Sequence, residues 1–105
     1  MASITLKQLR YFEAVARLGH FGRAAESCAV SQPALSVQIR DLEQALGGAL
    51  IERAPRSLQL TDLGRDVLGR ARSILADIDD LQDHARAVSG STLKRLKLGV
   101  IPTIA

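Results

Sequence analysis

The sequence predicts a mainly α-helical fold, in which three short helices and a two-stranded hairpin precede one long helix. Three observations support this. Apolar residues recur at helical spacing through most of the chain. One stretch, "ALIERAPRSLQLT" (residues 49–61), changes to the alternating period of strands. Hydrophobic residues make up 47% of the 105 residues but aromatic ones only 3%, so the core must consist of aliphatic side chains.

The first two predicted helices have short apolar stripes. The first, over residues 5–18, ends at Gly19, because glycine accepts the left-handed conformation after a last turn. Its buried stripe is predicted to contain Leu6, Leu9, Phe12, Val15 and Ala16. The second stripe consists of Phe21, Ala24, Ala25 and Cys28. Its two alanines would allow another helix to approach closely.

The third predicted helix runs from a serine cap at Ser31 to Gly47 and Gly48. Its apolar stripe contains Leu35, Ile39, Leu42 and Leu46. About three residues separate it from the second helix, which is the spacing of a helix-turn-helix.

A hairpin and a long helix follow. We predict strands over residues 49–53 and 57–60, with Arg53 and Arg56 near the loop tip, which is a wing on a helix-turn-helix. Thr61 and Asp62 suit the start of a helix that reaches about Val88. Its a/d positions, the predicted dimer interface, are Val67, Ala71, Ile74, Ile78, Leu81, Ala85 and Val88.

The C-terminal residues are predicted to form a separate segment. Ser89–Thr92 ("SGST") resembles a linker, and Leu96, Leu98 and Val100 alternate as in a strand. The predicted organisation is a winged helix-turn-helix in residues 1–60, a linker and dimerisation helix in 61–90, and a hinge with the start of another domain in 91–105.

The composition argues against several classes of protein. No stretch approaches the ~18 uncharged apolar residues of a membrane span, and no signal-peptide segment begins the chain. The single cysteine, Cys28, excludes an internal disulfide and fits a cytoplasmic location. We find no catalytic, metal-binding or cofactor-binding motif, and therefore predict a protein that is not an enzyme.

The side of the third helix opposite its apolar stripe suits DNA better than water. It carries small, amide and apolar side chains where a solvated helix usually shows Lys and Glu, and such side chains contact base edges in the major groove. The predicted DNA-binding residues, including phosphate-binding arginines on the second helix and the wing, are Arg23, Ser31, Gln32, Pro33, Ala34, Ser36, Val37, Arg40, Arg53 and Arg56.

The charge distribution agrees with this interpretation but does not prove it. Residues 1–60 contain 7 basic and 5 acidic side chains, whereas residues 61–90 contain 4 and 6. Two alternatives remain open at this point. The chain could be a dimerisation or protein-interaction domain, which steeply salt-dependent DNA binding would argue against. It could be a thiol-based redox protein, although a packed Cys28 should react slowly.

The motifs "LRYF", "FGRAA", "SQPALS-QIR-LE", "LG--L-ER" and "LT--G", within residues 5–64, resemble the N-terminal domain of LysR-type transcriptional regulators. Within this resemblance, "GHFGRAAESCAVSQPALSVQIRDLE" together with "LGVIPTIA" resembles the peroxide-sensing OxyR branch. Many LysR-type proteins have a basic residue where this chain has Val37. The phosphate or guanine contact that such a residue would make is therefore in doubt for this chain.

The resemblance implies promoter binding by a homodimer, with a tetramer in the full-length protein and RNA polymerase as a candidate partner. It also implies that this chain is a fragment, because family members continue into an effector-binding domain. "RLKLGVIPTIA" resembles the start of that domain, and Thr103 occupies the place of an effector-contacting hydroxyl. A small-molecule or redox effector would act only through the missing domain.

Overall fold

The computed structural model describes residues 3–53 and 57–97. Helices and strands follow the predicted order. They are α1 (Leu6–Leu18), α2 (Phe21–Ser27), α3 (Gln32–Leu46), β1 (Ile51–Arg53), β2 (Leu58–Leu60) and α4 (Asp62–Lys97). The chain divides into two compact units, Met1–Leu75 and Ala76–Ala105. Within the described ranges, no helix is long and apolar enough to cross a membrane.

Both ends of α1 are capped by local hydrogen bonds. The Gln8 backbone N–H donates to Thr5 Oγ1 over 3.1 Å, and the Thr5 N–H donates to Gln8 Oε1 over 3.0 Å. This reciprocal pair is a capping box, which satisfies two donors at the helix start. At the other end Gly19 has φ 67° and donates to the Val15 carbonyl over 2.8 Å. The predicted stop at Gly19 is confirmed.

Helices α1, α2 and α3 pack against one another around an apolar core, which is mainly aliphatic but, contrary to prediction, also contains the aromatic rings of Tyr11 and Phe12. Its fully buried side chains are Phe12, Val15, Ala24, Leu35, Ile39, Leu42 and Leu50. The predicted stripe of α3 is confirmed, with Leu46 partly buried. The prediction for Leu6 is wrong, since that side chain is 42% exposed. Leu6 is the first residue of α1, and in this turn it is Gln8 that is buried.

The turn between α2 and α3 consists of Cys28, Ala29 and Val30. Cys28 is the C-cap of α2 and only partly buried, so it lies just outside the helix in which we expected it. Ala29 adopts φ 57°, the left-handed conformation that lets the chain reverse. The Val30 N–H donates to the Ala25 carbonyl over 3.0 Å, and its side chain packs against the core. The predicted helix-turn-helix is confirmed.

The wing is a two-stranded antiparallel sheet in which Ile51 pairs with Leu60 and Arg53 with Leu58. Its strands are shorter than predicted, because residues 49 and 50 belong to the connection from α3. The buried side chains of Leu50 and Ile51 join the wing to the helical core. In addition, the Leu50 N–H donates to Glu43 Oε2 of α3 over 2.7 Å.

Thr61 and Gly64 connect the wing to α4. Thr61 Oγ1 accepts from the Gly64 N–H over 2.9 Å, which caps α4 as predicted, and donates to the Ala49 carbonyl over 2.6 Å. A Cβ on Gly64 would lie 2.0 Å from the Leu50 carbonyl oxygen. The spacing of the "LT--G" motif therefore has a physical cause. The Thr61 hydroxyl bonds to both the Ala49 carbonyl and the Gly64 N–H, and the absence of a side chain at Gly64 leaves room for the Leu50 carbonyl.

The first part of α4 contributes to the core of its own chain. Ala71 is 1% exposed, and Val67, Leu68 and Leu75 pack partly buried against the same core. The assignment of Ala71 to a dimer interface stays a prediction, and its methyl group is already covered within its own chain. The a/d positions from Ile74 onward stay available: Ile74 is 40%, Leu81 62% and Val88 54% exposed.

Helix α4 continues through Ser89–Thr92 and ends at Lys97. The predicted linker at these residues is therefore wrong, as is the strand at Leu96. Ser, Gly and Thr are weak helix formers, but a helical glycine costs only about 1 kcal/mol, and no proline interrupts residues 89–97. Leu98, Val100 and Thr103 lie outside the described residues.

Candidate nucleic-acid interface

The start of α3 is built from residues that favour a helix N-terminus. Ser31 is the N-cap, and its Oγ accepts from the Ala34 N–H over 3.2 Å. Pro33 lies in the first turn, where its missing N–H costs nothing. The cap predicted at Ser31 is confirmed. Ser31, Gln32, Pro33 and Ala34 are all exposed, so this turn presents small and amide groups to its surroundings.

The side of α3 away from the core remains exposed along its length. Val37 is 51% exposed, Arg40 is exposed and Ser36 is half-buried. On the opposite side of the helix, two positions before and after Val37, Leu35 and Ile39 are completely buried. Because the core fixes the rotation of α3 about its axis, the predicted residues share one accessible surface. We call Gln32, Pro33, Ser36, Val37 and Arg40 the outer face of α3.

A buried amide of α1 helps to hold α3 in place. The Gln8 side chain, 7% exposed, donates through Nε2 to Gln38 Oε1 over 3.4 Å. Its own Oε1 belongs to the capping box with Thr5. Gln38 follows Val37 directly, so this bond joins the start of α1 to the middle of α3. Neither glutamine is predicted from the sequence, although the Thr5-x-x-Gln8 spacing is a capping-box signal.

The start of α2 carries an exposed arginine. His20 is the N-cap of α2, and its Nδ1 accepts from the Arg23 N–H over 3.2 Å. The Arg23 side chain is exposed. The sequence analysis assigned His20 no role, because histidine is not among the preferred N-cap residues.

Several other arginines of this unit are paired with acidic groups. Arg17 Nε lies 3.3 Å from Glu13, and Arg72 lies 3.6 Å from the same carboxylate. Arg65 pairs with Asp62 at the start of α4. Among the described residues, by contrast, Arg23 and Arg40 form no ion pair. Their guanidinium groups are therefore available to phosphates.

The wing arginines are only partly located. The backbone of Arg53 lies in β1, opposite Leu58. Arg56 belongs to residues 54–56, which lie outside the described ranges, so phosphate binding by the wing stays a prediction.

The surroundings of Cys28 do not resemble a redox site. Burial raises the pKa of the Cys28 thiol; the positive charge of Arg17 acts in the opposite direction, and the Glu13 carboxylate raises it further. A raised pKa leaves less of the reactive thiolate at neutral pH. In the part of the chain that the structure describes, no group of acidic, His or Cys residues could hold a metal ion.

Comparison with known proteins agrees with this geometry. Residues 6–65 match the family described as "Bacterial regulatory helix-turn-helix protein, lysR family". The chain is 44% identical over 101 residues to the HTH-type transcriptional regulator EstR of Acinetobacter baylyi, covering 96% of this chain and 34% of EstR. It is 40% identical over 101 residues to the DNA-binding transcriptional dual regulator OxyR of Escherichia coli, covering 96% of this chain and 33% of OxyR.

Among solved structures, the chain is similar to that of a CbnR_DBD-DNA complex. The identity is 40% and the TM-score 0.76, with 82% of this chain and 99% of that chain covered. The matched relatives are transcriptional regulators rather than enzymes, and this chain spans about a third of their length. The matched region is a DNA-binding domain, and the chain belongs to the lysR family of bacterial regulatory helix-turn-helix proteins.

Proposed function

We propose that this chain binds promoter DNA sequence-specifically as a homodimer, with α3 of each protomer in a major groove. The observation that carries this proposal is the outer face of α3. Apart from the half-buried Ser36, its small, amide and apolar side chains are exposed, while Leu35, Ile39 and Leu42 on the opposite side are completely buried. A helix held in this way can place base-contacting groups in the groove without disturbing the core.

Within this surface the residues have different roles. Gln32 can form a bidentate pair with adenine, and Val37 can contact a thymine methyl group. The remaining side chains of this surface are short, so the helix can approach the base pairs closely. They belong to Ser31, Pro33, Ala34 and Ser36. Arg23 and Arg40, with Arg53 and Arg56 on the wing, bind flanking phosphates, which supply affinity more than sequence preference.

The exposed a/d positions of α4 support the dimer. Ile74, Leu81 and Val88 are large apolar side chains with 40%, 62% and 54% exposure. Pairing the two protomers through Ile74, Ile78, Leu81, Ala85 and Val88 would cover them. Val67, which already packs against its own core, would contribute less than we predicted from the sequence.

The signal that controls the regulator is proposed to act outside this chain. Similarity in the DNA-binding region does not identify which signal controls the regulator, since EstR and OxyR match nearly equally well. A role in the peroxide response rests on the OxyR resemblance alone. The proposed setting is cytoplasmic, where the DNA is, and contacts with RNA polymerase or a tetramer would belong to the full-length protein.

The thymine contact proposed for Val37 gives a direct test. DNA duplexes are selected from a random library with the wild-type chain, and each thymine is then replaced by uracil at fixed salt. Val37→Ala should lose the thymine preference at one position per half-site, an effect of about 1 kcal/mol or less. Gln44→Ala, another exposed position of α3, serves as the matched control.

Two results would contradict the proposal at different levels. If no uracil substitution distinguishes wild type from Val37→Ala, Val37 is an ordinary exposed side chain. If the chain selects no sequence, and its affinity for duplex DNA does not fall as salt rises, DNA binding itself is excluded. The protein-interaction alternative would then be favoured.

A further inference from the structure

Two side chains from different elements converge on Gly22 in the first turn of α2. A Cβ built on Gly22 would lie 2.9 Å from His20 Cε1 and 3.2 Å from His20 Nδ1. The same point lies 3.6 Å from Gln32 Oε1, at the start of α3. The imidazole ring and the glutamine amide therefore share the space that a larger residue at position 22 would fill.

The His20 ring is held in this space by a hydrogen bond. Its Nδ1 accepts from the Arg23 N–H over 3.2 Å, which caps α2. A methyl group at position 22 would come closer to the ring than real Cβ contacts allow. The ring would have to move and weaken the cap, so Gly22 and the present position of His20 depend on each other.

Restriction of this kind matters most for Gln32. The terminal torsion of a glutamine is broad, so an exposed amide samples many orientations. A bidentate contact with a base edge needs one of them, with the oxygen and the nitrogen both in the plane of the base. Because the ring and Oε1 both border the space at position 22, fewer orientations are available to the amide before DNA is bound.

We propose that His20 is a positioning residue for Gln32, and that Gly22 contributes to specificity by leaving room for the His20 ring. This inference rests on the proposed function, because it assumes that Gln32 contacts a base. It adds a role for the α2 N-cap that capping alone does not supply.

The experiment compares three single variants, one double variant and one control variant of the 105-residue chain on single-base substitutions of the selected duplexes. Gln32→Ala identifies the base pair that Gln32 contacts, as the position at which preference is lost. His20→Ser keeps a good N-cap but removes the ring. It should lower the preference at that base pair about fivefold, the lower end of the roughly 5- to 150-fold worth of a bidentate contact. Preferences at other positions should stay unchanged.

Gly22→Ala tests whether the base preference depends on the space that the missing side chain leaves for the His20 ring. In the wild-type background it should displace the ring and lower the same preference about fivefold. In the His20→Ser background it should have little additional effect, because the ring is absent. Gly69→Ala, at a helical glycine with nothing within 4 Å of the added Cβ, is the matched control and should match wild type.

The outcomes separate the two proposals. If Gln32→Ala alters no base preference, base contact by Gln32 fails and this inference fails with it. If Gln32→Ala alters one preference but His20→Ser behaves as wild type, His20 is only a cap and this inference alone is overturned. An equal effect of Gly22→Ala with and without the ring also overturns it. Should His20→Ser unfold, His20→Asn, which also retains a capping acceptor, takes its place.

Discussion

The helix-turn-helix and the later part of α4 carry similar apolar periodicities but bury them differently. In α3, Leu35, Ile39 and Leu42 have no exposed surface, because α1 and α2 cover them. In α4, Leu81 is 62% and Val88 54% exposed within this chain. Helical periodicity thus identifies which side of a helix is apolar. It does not show whether the same chain or a second copy covers that side.

The largest expected effect concerns the exposed a/d positions. Replacing both Ile78 and Leu81 with Asp should abolish the proposed dimer, because buried unpaired charges cost about 3–5 kcal/mol when their surroundings cannot pair them. Sedimentation equilibrium should show monomers at concentrations where the wild type is dimeric, with the fold of residues 1–75 retained.

The control for this variant adds the same charge elsewhere on α4. Ser73→Asp with Ala76→Asp alters exposed residues that are not at a/d positions and should leave the dimer intact. A dimeric Ile78→Asp, Leu81→Asp variant would contradict the assignment of these positions to the interface.

The next effect concerns the packed region, where the wing meets α4. Gly64→Ala would place a methyl carbon 2.0 Å from the Leu50 carbonyl oxygen. Overpacking typically costs about 1–3 kcal/mol, and here the neighbour is backbone, so we expect about 3 kcal/mol. Thermal unfolding should show a midpoint lowered by roughly 10 °C or more.

Gly69→Ala provides the comparison on the same helix. Nothing lies within 4 Å of the added Cβ, and alanine favours a helix by about 1 kcal/mol over glycine. This variant should therefore be slightly more stable than wild type. Equal stabilities of the Gly64→Ala and Gly69→Ala variants would mean that the contact between Gly64 and Leu50 is not tight.

The smallest effect concerns the edge of the packed region, at Cys28. Because burial raises the pKa of this thiol, less thiolate is present at a given pH than in an unfolded chain. Alkylation by iodoacetamide should be several-fold slower in the native protein than in urea at pH 8, and its rate should reach half-maximum at a higher pH. Equal rates in the two states would show that the thiol is neither shielded nor shifted.

The sequence by itself determined the elements and most of their ends. Periodicity identified the buried side of α3, and Gly19, Ser31 and Thr61 marked helix ends through interactions within a few residues of the chain. The outer face of α3 was found for the same reason, since burying Leu35 and Ile39 leaves Val37 and Arg40 on the other side. Its proposed roles on DNA rest on residue chemistry and remain to be tested.

Only the tertiary structure decided the features that depend on residues far apart in the chain. Gln8 contacts Gln38, 30 positions away, and Gln32 lies beside Gly22 because α2 and α3 pack together. Ala71 belongs to the core of its own chain although it fits the a/d pattern. An a/d position is apolar whether it packs within the chain or against another, so sequence spacing could not distinguish the two. Which groups approach one another is set by the packing of whole helices.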